Sequence, residues 1–173
     1  MSTNITFGVY TAIAHIVLLL IKHFTGLDVS KAGLWYDWLG LVPTIVFIVL
    51  AVKERRDEEF AGVIRYGQCV GTGSMVTLFS SLITSIYFYV HYSFIAPDAI
   101  AFMIQQKQEM IATWMKGQSA ADIARATDSA GAYTTPLWMA IGGFVFLLLI
   151  GVVVSLIAGA FQKSSDEKFN AVA

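Results

Sequence analysis

The chain has 173 residues, enough for one domain of ordinary size. Hydrophobic residues make up 57% of it and charged residues 13%, about half the usual charged share, which excludes a disordered chain and argues against a soluble enzyme. The formal net charge of -1 leaves no basic surface for nucleic acid, and the single cysteine allows neither an internal disulfide nor a cysteine-based metal cage.

Four stretches are apolar enough, and long enough as helices, to cross a bilayer, which takes roughly 20 residues. They cover residues 5–24, 37–52, 67–95 and 137–161. No lysine or arginine precedes Lys22, so the first stretch lacks the basic start of a signal peptide and we expect a retained helix. The third stretch is longer than the hydrocarbon core requires, so it should tilt or protrude.

Glycine and proline mark the predicted helix boundaries. Gly26 follows the first helix, at a position where a left-handed residue commonly ends a helix. Pro136 opens the fourth helix, where its missing N–H is not needed. Pro43 lies inside the second helix and removes one backbone hydrogen bond, so we expect a kink near the beginning of that helix.

Residues 96–135 form the one sizeable segment outside the predicted spans. A helix begins at Pro97 and ends before Gly117, and Ser119 N-caps a second, shorter helix. The first helix carries an apolar stripe, of which the methionines and the tryptophan are candidate partner contacts: Ile100, Met103, Ile104, Met110, Ile111, Trp114 and Met115. The stripe has three possible roles: packing on the protein's own helices or the membrane surface, binding a partner protein, or covering a transport path.

Basic residues set the predicted orientation of the chain. The side that holds the termini and the loop between the second and third spans carries Lys53, Arg55, Arg56, Arg65, Lys163 and Lys168. The first three directly adjoin a helix end, where basic residues determine topology. We therefore expect cytoplasmic termini and residues 96–135 outside the cell membrane. Aromatic residues at the far helix ends, such as Trp35, Trp38 and Trp138, fit a belt at the outer interface.

Small residues recur along the third and fourth predicted spans. The candidates for helix packing are Gly67 and Gly71 in the third span and Gly151, Ser155 and Gly159 in the fourth. Lipid gives helices no hydrophobic reason to associate, so close backbone approach through small residues holds them together. We expect these two helices to pack against each other, with a dimer seam along the same residues as the alternative.

Ionisable residues in or beside the spans are the candidates for chemistry, because burying them costs free energy. His15 lies near the middle of the first span, where a hydrogen-bonded neutral imidazole is the alternative to a proton relay. Asp37 is expected to N-cap the second helix, while Lys22 and His23 can extend outward to headgroups. His91 lies among tyrosines at the same predicted depth.

His23, Asp37 and His91 share one predicted interface, and two histidines with one carboxylate form a ligand set for transition metals. They come from three separate helices, and no pair has the i, i+3 or i, i+4 spacing of specific ligand motifs. We therefore predict no metal and no cofactor. Motifs for a catalytic nucleophile, a phosphate or a dinucleotide are absent from the sequence, so we predict that the chain is not an enzyme.

Several segments, taken in order, carry a family resemblance. A charged turn at 53–59 is followed by Ile64–Gln68, by a Gly- and Ser-rich helix that ends in Tyr87–Asp98, and by a last span that begins with proline. The most specific pieces are Tyr66-Gly67-Gln68 and Phe94–Asp98. Over nearly its whole length the chain resembles a bacterial integral-membrane family of unknown function, number 4199 in the domain-of-unknown-function series. The resemblance implies a bacterial origin, four spans and an insertion before the last one, and it supplies no activity.

The sequence therefore predicts one all-α membrane domain over residues 1–173, a polytopic protein of the bacterial inner membrane. It has four spans and an extramembrane helical hairpin between the third and fourth. We expect a non-catalytic accessory or scaffold protein that contacts membrane lipids and either an envelope protein or a second copy of itself, without nucleic acid. The alternative is a small oligomeric transporter or channel that uses His15 and Asp37.

Overall fold

The computed structural model describes residues 2–164, and the regular structure in that range is entirely helical. Seven α-helices follow one another within it: α1 (Thr3–Phe24), α2 (Ala32–Tyr36), α3 (Leu41–Glu58), α4 (Tyr66–Val90), α5 (Pro97–Trp114), α6 (Ala120–Ala132) and α7 (Pro136–Gln162). Four units in this range are long and apolar enough to cross a membrane: α1, α2 joined to α3, α4 with the turn after it, and α7. The prediction of an all-α polytopic membrane protein is confirmed. Lys168, used in predicting the orientation, lies outside the described residues.

The second span begins earlier than predicted. Its helical path starts at Ala32, not at residue 37, and passes through a 3₁₀ turn at Asp37–Gly40 before α3 begins. This interruption of the α-helix lies just before Pro43. Proline has no backbone N–H, so it cannot donate a hydrogen bond to the carbonyl four residues earlier. Asp37 therefore lies within the helical path, and the prediction that it N-caps the second helix is wrong.

The third span ends in an unusual turn. After α4, residues His91–Ile95 form one π-helical turn, which is closed by a 2.8 Å hydrogen bond from the Ala96 N–H to the His91 carbonyl. Such wider turns are rare, and they occur frequently at functional sites. The π turn brings the chain to Pro97, where α5 begins.

The central helix of the bundle is α4, since α1, α3 and α7 all pack against it. Its closest contact with α7 runs through small residues. Gly73 lies against Ser155, where an added Cβ would come within 2.8 Å of the serine Cβ. One turn earlier in α7, Gly151 lies against Thr77. The predicted approach of the third and fourth spans is thus observed around Gly151 and Ser155, and Gly159 extends it by lying against Cys69.

Gly67 and Gly71 take no part in this contact, contrary to their predicted role. Both are exposed, and a Cβ added to either would meet nothing within 4 Å. A helix turns by about 100° per residue, so Gly73, two positions after Gly71, lies on nearly the opposite face. The face of α4 that meets α7 is the one that carries Gly73.

The hairpin of α5 and α6 lies outside the four spans, as predicted. Gly117 adopts a φ of +93° between the two helices, and the Ser119 hydroxyl accepts a hydrogen bond from the Asp122 N–H, as a helix N-cap does. The Lys107 ammonium donates to the Thr134 hydroxyl at 2.8 Å, which ties α5 to the segment before α7. We call this side of the bundle, with the hairpin and the turns at Leu27–Val29, Asp37–Gly40 and His91–Ile95, the hairpin end.

Candidate functional site

His15 is a buried residue of α1 whose imidazole contacts the second span. Its Nε2 lies 2.9 Å from the Gly40 carbonyl oxygen and 3.2 Å from the Thr44 hydroxyl. The same Gly40 carbonyl oxygen also accepts a hydrogen bond from the Thr44 hydroxyl at 3.0 Å, so the imidazole joins a small polar group on the second span. The arrangement matches the hydrogen-bonded imidazole predicted as the alternative to a proton relay. A relay needs a second partner, whereas the buried Nδ1 has none among the described residues.

Lys22 and Asp37 form an ion pair at the hairpin end. The Lys22 ammonium donates to the Asp37 carboxylate at 2.6 Å. The lysine side chain is only 11% exposed, whereas the aspartate side chain is 56% exposed. Lys22 thus does not extend outward to headgroups as predicted, because the turn that follows α2 brings a carboxylate beside the end of α1.

A cavity of about 360 Å³ lies between the four spans on their hairpin side. Its walls are mainly apolar and include Leu18, Phe88 and Phe146. The polar residues in its lining include His15, Thr84 and the Lys22–Asp37 pair. A mostly apolar cavity with a few polar groups is the usual form of a small-molecule site.

A second polar cluster joins the end of α1 to the end of α4. The Nδ1 atom of His23 lies 2.7 Å from the Asp28 carboxylate, and the Nε2 atom of His91 lies 3.8 Å from the same oxygen. The predicted grouping of His23 and His91 is therefore observed, but its carboxylate is Asp28 and not Asp37. Asp28 lies in the 3₁₀ turn after Gly26, whose φ of +70° turns the chain back toward α1.

Within this cluster several buried polar atoms lack hydrogen-bond partners. Neither ring nitrogen of His91 has one among the described residues, although the side chain is fully buried. The same holds for the hydroxyl of Tyr87, one helical turn earlier, whose ring centroid lies 5.6 Å from that of His91. Burying polar atoms without partners costs free energy, so such a group needs an explanation.

The predicted partner contacts of α5 divide into two groups. Met103 is partly buried and packs against the buried cluster of Tyr92, Ala96 and Ala99, so it serves the internal packing of the hairpin. Met110 is 52% exposed and Trp114 is 84% exposed. Met115 is partly buried just beyond α5. The uncovered part of the stripe therefore lies at the far end of α5.

Comparison with known proteins gives one match. The model of a family described as "Protein of unknown function (DUF4199)" matches residues 6–164. No curated protein and no solved structure matches the chain. The comparisons therefore supply a family without an activity.

Proposed function

The chain belongs to the DUF4199 family, whose function is unknown, and on that premise we propose a non-catalytic accessory or scaffold role in the bacterial inner membrane. The hairpin of α5 and α6 binds an envelope protein or a second copy of the chain. The exposed side chain of Trp114 is the observation that carries this proposal. A tryptophan that is 84% exposed on a helix outside the spans leaves a large apolar surface uncovered.

Met110 extends this surface by one helical turn, because residues four positions apart share a face of a helix. Tryptophan and methionine are enriched at protein interfaces, and a flexible thioether adapts to different partners. The other end of the same helix is already anchored through Met103 and Ala99. The proposal therefore divides α5 into an anchored half and a half that presents Met110 and Trp114.

The proposed orientation places both termini in the cytoplasm and the hairpin on the outer side. Three basic residues support it, Lys53, Arg55 and Arg56, which lie in the last turns of α3. Arg55 pairs with Glu59, and Arg56 pairs with Asp57. Acidic residues contribute little to topology, so these pairs do not cancel the effect of the arginines.

Photocrosslinking in living cells tests the hairpin surface. A photoreactive amino acid at position 110 or 114 is expected to give an adduct with one envelope protein or with a second copy of the chain. The matched control is position 112, which is exposed but lies on the opposite side of α5. Trp114→Ala should weaken the purified complex about 30-fold, since an aromatic anchor contributes about 2 kcal/mol. Adducts with lipid alone, or equal adducts at all three positions, would contradict the proposal.

The cavity favours a second candidate function, a small oligomeric transporter or channel. His15 and the Lys22–Asp37 pair reach a space between the spans, where a solute path would need polar groups. On this alternative, liposomes containing the protein pass protons or a small solute, and His15→Ala abolishes the flux. Leu18→Ala, which changes the same cavity without removing a polar group, retains it. Liposomes that stay tight with the wild-type protein would exclude the alternative and leave the accessory role.

A further inference from the structure

We propose that His23, Asp28 and His91 bind one divalent transition-metal ion, with Zn²⁺ as the ion that suits them best. The donor atoms are His23 Nδ1, an Asp28 carboxylate oxygen and His91 Nε2, and all lie within 4.8 Å of one another. Two imidazole nitrogens among three ligands favour zinc and its neighbours over Mg²⁺ and Ca²⁺, which prefer oxygen. The site is separate from the hairpin surface, so this inference does not depend on the proposed accessory role.

The distances in the cluster suit a tetrahedral ion. With metal–ligand bonds of about 2.0–2.1 Å, neighbouring ligand atoms of a tetrahedral site lie about 3.3 Å apart. The observed separations from the Asp28 oxygen are 2.7 Å to His23 and 3.8 Å to His91, one below and one above that value. A metal ion would therefore push one pair of atoms slightly apart and draw the other together. The His23 side chain, which is 30% exposed, has room for such an adjustment.

His91 supports the metal site independently of the distances, because its ring nitrogens have no hydrogen-bond partner among the described residues. Its side chain is fully buried, and neither nitrogen forms a hydrogen bond with a described residue. A buried imidazole without a partner is unfavourable, and coordination through Nε2 would give one of its two nitrogens a partner. The Asp28 side chain is only 6% exposed, so its charge is also poorly solvated and would gain from a cation.

The neighbouring lysine does not occupy the proposed site. Lys22, next to His23 in the chain, donates to Asp37 at 2.6 Å. Since this ammonium is held by another carboxylate, the Asp28 carboxylate is left facing the two histidines. The ion pair that removed Asp37 from the predicted ligand set thus also keeps Lys22 from neutralising Asp28.

Two irregular turns give the site its shape. Asp28 is placed by the turn after Gly26, and His91 begins the π turn at the end of α4. The ligands therefore come from α1, from the turn that follows it and from the π turn after α4, so an ion would join α1 to the end of α4. Three protein ligands leave a fourth position for water or another small ligand, as in zinc sites that are not purely structural.

Metal titration of the whole protein tests the inference. The chain is purified in detergent through a tag without histidine, stripped with a chelator and titrated with Zn²⁺, and Co²⁺ is used as a spectroscopic probe of tetrahedral geometry. We expect one ion per chain and a higher Tm on adding Zn²⁺. Asp28→Asn and His91→Gln should each weaken binding by about 100-fold or more, because even residues that only orient a ligand change affinity about 10–100-fold.

The matched control is Asp98→Asn, which removes an exposed carboxylate at the same end of the bundle and should leave affinity unchanged. If His91→Gln fails to fold, His23→Gln serves in its place, since His23 is partly exposed. No saturable binding by the wild type would overturn the proposal. Binding that persists in Asp28→Asn, or that is lost equally in Asp98→Asn, would also overturn it, by showing adventitious surface binding only.

Discussion

Gly73→Leu is expected to destabilise the bundle by about 3 kcal/mol. Overpacking of a tight contact commonly costs about 1–3 kcal/mol, and we expect the upper value because leucine adds four carbon atoms. A Cβ at this position would lie 2.8 Å from the Ser155 Cβ and 2.9 Å from a methyl carbon of Ile48. Both neighbours are fully buried, so neither can move aside without displacing a helix. The expected response is separation of α4 from α7.

Equilibrium unfolding in bicelles measures this effect, with Gly71→Leu as the matched control. Gly71 lies on the same helix, but a Cβ there meets no atom within 4 Å. The control should be neutral or slightly more stable, because leucine favours helix over glycine by about 0.8 kcal/mol. Equal stability of the two variants would show that Gly73 is not at a tight contact. A changed oligomeric state in Gly71→Leu alone would instead indicate a dimer seam on the open face of α4.

Asp37→Ala is expected to lower the free energy of unfolding by about 2 kcal/mol. It leaves the Lys22 ammonium, whose side chain is 11% exposed, without its carboxylate partner. Removing one partner of a fully buried pair costs about 3–5 kcal/mol, and we expect less here because the Asp37 side chain is 56% exposed. Adding Lys22→Met should restore most of the loss, since it removes the unpaired charge but keeps the length of the side chain.

A second ion pair supplies the control for this cycle. Lys31 and Glu109 lie 3.4 Å apart with exposed side chains, so Glu109→Ala should change stability by about 0.5 kcal/mol or less. The wild type, Asp37→Ala, Lys22→Met and the double variant are compared by equilibrium unfolding in the same bicelles. If the double variant is no more stable than Asp37→Ala, the cost does not come from an unpaired lysine.

The four spans could be read from the sequence because each is a continuous apolar stretch bounded by local signals. Pro136, Gly26 and Ser119 each act locally, through backbone geometry or through a side-chain cap within a few residues, and each lies where it was predicted. The start of the second span was predicted too late because Asp37, an aspartate just before an apolar stretch, has the residue type of a helix N-cap. Only the packed structure shows that helix continues on both sides of it.

The choice of glycines at the helix contact was beyond sequence reasoning for a different reason. A search for small residues at helical spacing favours Gly67 and Gly71, which lie four residues apart, over Gly73. Which face of α4 meets α7 depends on the rotation of one helix relative to the other. That rotation is fixed by the whole bundle, and it places Gly73 against Ser155.

Two of the three residues in the candidate metal cluster were grouped from the sequence, although no metal was predicted there. His23 and His91 lie at helix ends of equal depth, and their ring centroids are 5.6 Å apart. The carboxylate was wrong because Asp28 and Asp37 are equally plausible by depth, and the sequence does not show which of them Lys22 takes. The turn after Gly26 and the burial of Lys22 together determine which aspartate lies beside the two histidines.

Packing in the bundle is uneven along its length. The buried core of Ile48, Ala51 and Val76 lies in the half away from the hairpin, whereas the cavity beside Phe88 and Gly143 lies in the half next to it. The well-packed half fixes the relative positions of the four spans before anything enters the cavity. A molecule that fills it therefore meets preorganised walls, and the entropy of ordering them is lost on folding rather than on binding.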